Sequence, residues 1–191
     1  WDTYRNLHQL LTLVYPERQL EMVRSMVGMC REWGWLPKWE LYGRETFTME
    51  GDPSIPVIVD TWMKGLRDFD MDAAYEAMRK SATTPGARNR MRPDIDPYIE
   101  KGYVPLGFYA RDLSGDNSVS HALEYYIADH ALSLLADSLG KKDDAALFRA
   151  RSLGYKNYYS TESGTFRPIT KEGKFLTPFD PRQGENFEPV P

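Results

Sequence analysis

Helix, short turn, helix, long loop: this order recurs along the chain and restricts it to a few architectures. Leu7, Leu10, Leu11 and Val14 keep helical spacing across residues 1–15. After Pro16, the set Leu20, Val23, Met26, Val27 and Cys30 marks a second helix over 17–33, stopped by Gly34. A third helix is predicted over 55–69, with Asp52-Pro53 as its cap and first turn. A fourth follows over 72–81 through Ala74, Ala77 and Met78, and a short fifth over 94–101. The longest, 118–139, carries a stripe of Leu123, Ile127, Leu134 and Leu135. The last, 142–159, points Ala146, Phe148 and Leu153 inward. Only GTFRPITKEGKFLTPF, with its Lys171-Glu172-Gly173 turn, reads as a minor β-hairpin near the C-terminal end. The predicted fold class is all-α: antiparallel helix pairs with short turns on one side and long loops on the other. That is the layout of an α/α toroid or an α-solenoid. In a toroid the long loops converge on one mouth.

The longest loop region, GWLPKWELYGRETFTMEGDPSIPVIVD over 34–60, has the most distinctive chemistry. Trp35, Trp39, Tyr42 and Phe47 alternate there with Glu40, Glu45, Asp52 and Asp60, and its glycines and prolines prevent one continuous helix. An aromatic face stacks on the apolar side of a sugar ring, while carboxylates accept bonds from its hydroxyls. The competing reading is a structural loop whose tryptophans plug neighbouring helix ends. A second aromatic group, Tyr103, Phe108 and Tyr109, falls in the unpatterned segment 102–116.

A net charge of −4 with no basic patch removes nucleic acid from the candidate partners, and no apolar run reaches the length of a membrane span. The single Cys30 excludes an internal disulfide and reads as an inert thiol on a helix face. His8, His121 and His130 are scattered, and no phosphate loop, Ser/His/Asp set or zinc spacing occurs. Asp68-Phe69-Asp70-Met71-Asp72 opens like a calcium loop but places Ala73 at the glycine position and Arg79 at the final glutamate position. One of these aspartates is expected to cap a helix instead. Trp1, Asp2 and Arg5 share the first helical turn, as a surface salt bridge or as a grip on vicinal hydroxyls. Glu40 and Glu45 are the local candidates for a glycosidase carboxylate pair, or braces for loop amides.

The blocks WDTYRNLHQLLTLVYPER, GWLPKWELYGRETFTMEGDPSIPVIVD, GYVP and LTPFDPR, spread from Trp1 to Arg182, resemble the family 92 glycoside hydrolases, calcium-dependent exo-α-mannosidases. The resemblance implies an N-terminal β-sandwich followed by an (α/α)6 toroid, with the active site between them. Residues 1–191 would then be a fragment of the toroid, with the sandwich and the rest of the toroid elsewhere in the polypeptide. It also implies inverting hydrolysis of terminal α-mannosides of glycans, Ca2+ at the −1 subsite, and a secreted, periplasmic or cell-surface bacterial enzyme. The general acid, the base and the calcium ligands are expected beyond Pro191, so no catalytic residue or metal ligand is assigned within the chain, and the fragment alone is expected to be inactive. The implied substrate-binding residues are Trp1, Asp2, Arg5, Trp39, Glu40 and Glu45, with Asp2 foremost. The alternative is a non-catalytic helical scaffold or carbohydrate-binding piece of the same ancestry.

Overall fold

A computed structural model describes residues 1–108 and 117–182; Tyr109 of the second aromatic group lies outside them. Seven α-helices occur among the described residues: α1 (Leu7–Val14), α2 (Pro16–Trp33), α3 (Ser54–Met63), α4 (Met71–Thr83), α5 (Ile95–Lys101), α6 (Ser118–Ser138) and α7 (Lys142–Ser152). A 3-10 turn, Asp2–Arg5, precedes α1, and another, Leu153–Tyr158, continues α7. The first and last predicted helices are therefore each split. The third stops earlier than expected, where the chain turns at Lys64-Gly65.

α1, α3 and α6 lie side by side in one row, and α2, α4 and α7 back them in a second. Tyr15 joins α1 to α2 and residues 139–141 join α6 to α7, whereas long connections lead into α3 and α6. The starts of the inner row meet at one end. The Trp1 backbone nitrogen donates to the Lys38 carbonyl at 3.0 Å, the Trp1 indole donates to the Glu50 carbonyl at 2.7 Å, and Arg5 reaches Glu124 on α6. The core between the rows is built from fully buried Val23, Ile55, Ile58, Met78, Leu132 and Phe148. A second cluster, around Tyr98, Tyr125 and Tyr158, packs under α5.

Two helices turn unexpected faces inward. On α1 the buried residues are His8 and Thr12, while Leu10 and Leu13 are 53% and 74% exposed. A polar seam causes this. The Gln19 amide donates to the Thr61 hydroxyl at 2.9 Å, and that hydroxyl donates to the Val57 carbonyl at 2.8 Å. The Gln19 oxygen must then accept from His8 Nδ1 at 2.9 Å, leaving His8 Nε2 to accept from the Thr3 hydroxyl at 3.0 Å. On α6, Ile127 and Leu134 of the predicted stripe are exposed, and Tyr125, Asp129 and Leu132 are buried instead.

Two antiparallel hairpins occur among the described residues. β1 (Glu40–Leu41) pairs with β2 (Arg44–Glu45), and β3 (Tyr159–Ser160) with β4 (Thr165–Phe166). The β3–β4 pair lies just ahead of the Lys171-Glu172-Gly173 turn, which closes on a single bridge between Ile169 and Phe175. The helix caps divide. Asp70 accepts from the Ala73 amide at 3.0 Å and starts α4, as expected of that aspartate cluster. Asp52 does not cap α3; its carboxylate takes the Ser81 hydroxyl and Arg92 instead.

Candidate active site

The loop between α2 and α3 is held from beneath by two opposite charges. Glu45, on β2, accepts the backbone N–H groups of Lys38 at 2.6 Å, Trp39 at 3.1 Å and Phe47 at 2.6 Å. Its oxygens are thus taken up by the loop's own amides, which is a bracing geometry. Lys38 is buried, and its ammonium donates to the carbonyls of Met91 at 2.9 Å and Met49 at 3.3 Å. These two anchors fix a backbone in which Tyr42, Phe47 and Met49 all have positive φ, at 51°, 55° and 67°. Non-glycine residues of this kind persist only where surroundings over-determine them, and they gather at functional sites. The Arg90 guanidinium covers the Phe47 ring at 3.9 Å and closes the strained segment from outside.

Burial pushes the Lys38 ammonium down to about 8 from its ordinary 10.5, against the pull of the Asp52, Asp94 and Glu45 carboxylates. The folded state therefore holds the Lys38 proton less tightly than the unfolded chain does. Between about pH 8 and 10.5 the unfolded state binds more protons, so this residue's contribution to stability rises with pH through that window. From pH 7 to pH 9.5 the gain is about 2 kcal/mol. Urea unfolding of the wild type minus that of Lys38→Met, at both pH values, isolates it from the tyrosines; equal pH dependence in the two proteins would show that Lys38 is not the source.

Beneath the loop lies a buried charge network. Arg92 is 0% exposed, with Nη1 bonded to Asp129 at 2.7 Å and Nε to Asp52 at 3.2 Å. Asp129 also accepts the Tyr98 hydroxyl at 2.9 Å and pairs with Arg151 at 3.0 Å. Two cations thus meet two anions, and segment 84–94 is pinned both to α6 and to the loop that leads into α3. His121 belongs to a neighbouring set with Asp94 at 2.9 Å and Tyr125.

Of the implied sugar-binding residues, Trp1 and Glu40 line one cavity; Asp2, Arg5, Trp39 and Glu45 are not among its lining residues. Arg5 lies over the rings of Trp1 and Tyr4, at 5.0 and 4.8 Å, and pairs with Glu124 at 2.9 Å. Asp2 is exposed on the same 3-10 turn, and its carboxylate makes no hydrogen bond among the described residues. Trp39 is 36% exposed beside the Glu45 brace. Glu40 and Trp1 both line a cavity of about 480 Å³, shared with Thr3, His8, Lys38 and the α2 methionines. The structure therefore brings Trp1, Arg5 and the Lys38–Glu40 segment together, while Glu45 sits inside the loop. Glu124 and Lys38 are not among the expected site residues. The signal for Lys38 is its place between Pro37 and Trp39 in a loop that has to close; nothing local in the α6 sequence marks Glu124.

No cluster of three or more His, Cys, Asp or Glu residues is arranged to hold a metal among the described residues.

Residues 1–189 match the glycosyl hydrolase family 92 catalytic domain. The chain belongs to this family. Solved family 92 relatives include the inverting mannosidase BT2199 of Bacteroides thetaiotaomicron, 32% identical over 94% of this chain with a TM-score of 0.85. The α-mannosidase BT3965 of the same organism, solved in complex with mannoimidazole, is 35% identical over 95% of the chain with a TM-score of 0.83. A second structure of the same enzyme gives 34% identity over 97% of the chain and a TM-score of 0.85. The chain spans about a quarter of the length of these relatives, 24% and 23%. No curated protein sequence matches it. The helix pairs described above are the fold that the chain shares with these relatives.

Proposed function

We propose that the chain is a portion of the (α/α)6 toroid of an inverting, exo-acting α-mannosidase, and that its mouth end supplies part of the wall gripping the terminal mannose. The observation that carries this reading is the pairing on one turn of a carboxylate with no hydrogen-bond partner among the described residues, Asp2, and a braced guanidinium, Arg5. Asp accepts and Arg donates, so the two grip adjacent hydroxyls of one sugar. Trp1, which lines the cavity, supplies a face for its apolar side, Glu40 a further acceptor at the cavity edge, and partly exposed Trp39 a second face nearby. Glu45 works indirectly, by holding the Lys38–Phe47 backbone. Inversion requires an acid and a base on opposite faces of the sugar. In this proposal both, with any calcium ligands, come from outside residues 1–191, and the complete enzyme is exported to the periplasm, the cell surface or the medium. The mannoimidazole complex of BT3965 supports a mannose-shaped ligand.

The test uses the complete polypeptide carrying this chain and residues 1–191 alone, each with calcium and an aryl α-mannoside. Expected are turnover with an inverted anomeric product by the former and none by the latter. Retention of configuration, or turnover by residues 1–191, would overturn the proposal.

A further inference from the structure

Glu124 reaches the mouth from α6, far in sequence from the turn it touches. One carboxylate oxygen accepts from Arg5 Nη2 at 2.9 Å, and the other accepts the Tyr4 hydroxyl. Its side chain is 12% exposed against 50% for Arg5. The stem of Glu124 is fixed as well. Gly51 packs against it so closely that a Cβ there would stand 2.5 Å from Glu124 Cβ, and Gly51 has φ +80°. The adjacent Glu50 carbonyl holds the Trp1 indole. The Arg5 guanidinium thus contacts the carboxylate and the Trp1 and Tyr4 rings at once, with half its side chain still exposed. Arg5 Nε and Nη1 have no hydrogen-bond partner among the described residues.

We infer that Glu124 is a positioning residue: it fixes the Arg5 guanidinium so that the uncommitted edge is presented to a sugar hydroxyl. Both Glu124 oxygens are engaged by this chain's own donors, Arg5 and Tyr4, so its carboxylate is committed to holding them. A free arginine side chain would sweep a wide cone and lose that freedom on binding. Held against two rings and a carboxylate, it has already lost it. This inference rests on the reading of Arg5 as a sugar ligand.

The experiment measures mannoimidazole affinity by calorimetry, with KM and kcat, in the complete polypeptide. Glu124→Gln keeps the shape and removes the charge, and Glu124→Asp keeps the charge and withdraws it. Both are expected to weaken mannoimidazole binding by roughly 10-fold or more, the scale of one charge-assisted hydrogen bond. KM should rise with little change in kcat, and the unfolding midpoint should stay close to that of the wild type. Tyr4→Phe removes the other Glu124 bond and should bind within about 2-fold of wild type. Arg5→Ala combined with Glu124→Gln should bind no worse than Arg5→Ala alone, since Glu124 acts only through Arg5. Wild-type binding by both Glu124 variants alongside a defective Arg5→Ala would overturn the positioning role and leave Arg5 as a ligand. Additive losses in the double variant would overturn it too. Wild-type binding by Arg5→Ala would remove Arg5 from the sugar site, and this inference with it.

Discussion

Replacing Arg92 by methionine is expected to destabilise the chain by about 3–5 kcal/mol, a large share of the total for a domain of this size. Arg92 bridges Asp52 and Asp129 with neither partner exposed to water. Methionine fills a similar volume but leaves two carboxylates facing each other with Arg151 as the one remaining guanidinium partner of Asp129. Removing one member of a buried pair strands the other charge, which costs more than the pair contributes. Lysine is expected to fare little better, because a single ammonium cannot present the planar fork that reaches both carboxylates. Chemical denaturation at neutral pH checks this. A loss below about 1 kcal/mol, the value of a surface pair, would mean the network is not holding segment 84–94 in place.

Asp2→Asn is expected to lower kcat/KM for α-mannosides by two orders of magnitude or more in the complete polypeptide, with an unfolding midpoint close to that of the wild type. The stability half of this follows from geometry. Asp2 is exposed, accepts nothing among the described residues, and sits on a four-residue 3-10 turn, where a first-turn carboxylate contributes little to stability. The activity half follows from chemistry. An acceptor for a sugar hydroxyl that tightens in the transition state is worth several kcal/mol there, and an amide both weakens and miscodes the bond. Steady-state kinetics alongside thermal unfolding separate the two. Near-normal kinetics would reduce Asp2 to a surface carboxylate.

Most helices are legible in the sequence because their punctuation is local. Gly34 and Gly102 end helices by their own left-handed backbone, and Asp70 begins one through its side chain. Which face each helix buries is less legible. Leu10 and Val14 look inward by periodicity, yet both are exposed, and the seam of His8, Gln19 and Thr61 claims the inside of α1 through partners on α2 and α3. Asp129 likewise takes the inner face of α6 because Arg92 and Tyr98 arrive from a distant loop and helix. The β1–β2 hairpin is hidden in the sequence because its turn places Tyr42 at φ 51°, where asparagine or aspartate is the usual marker. At the mouth, the WDTYR turn and the aromatic loop announce themselves by composition. Glu124 cannot be found that way, since its importance is a matter of which arginine it touches.

Lys38 and Glu45 secure only the base of the β1–β2 hairpin, and this divides the loop into two regimes of local opening. Unzipping the tip breaks only the short β1–β2 ladder, and Tyr42 there is already 97% exposed. Such a segment opens at low free-energy cost, independently of the global transition. The base cannot follow without uncovering a buried ammonium and surrendering the amides that Glu45 holds, so it opens only together with the core. The loop therefore has a stiff root and a free crest, and the crest can change shape while the backbone beside Trp1 stays fixed.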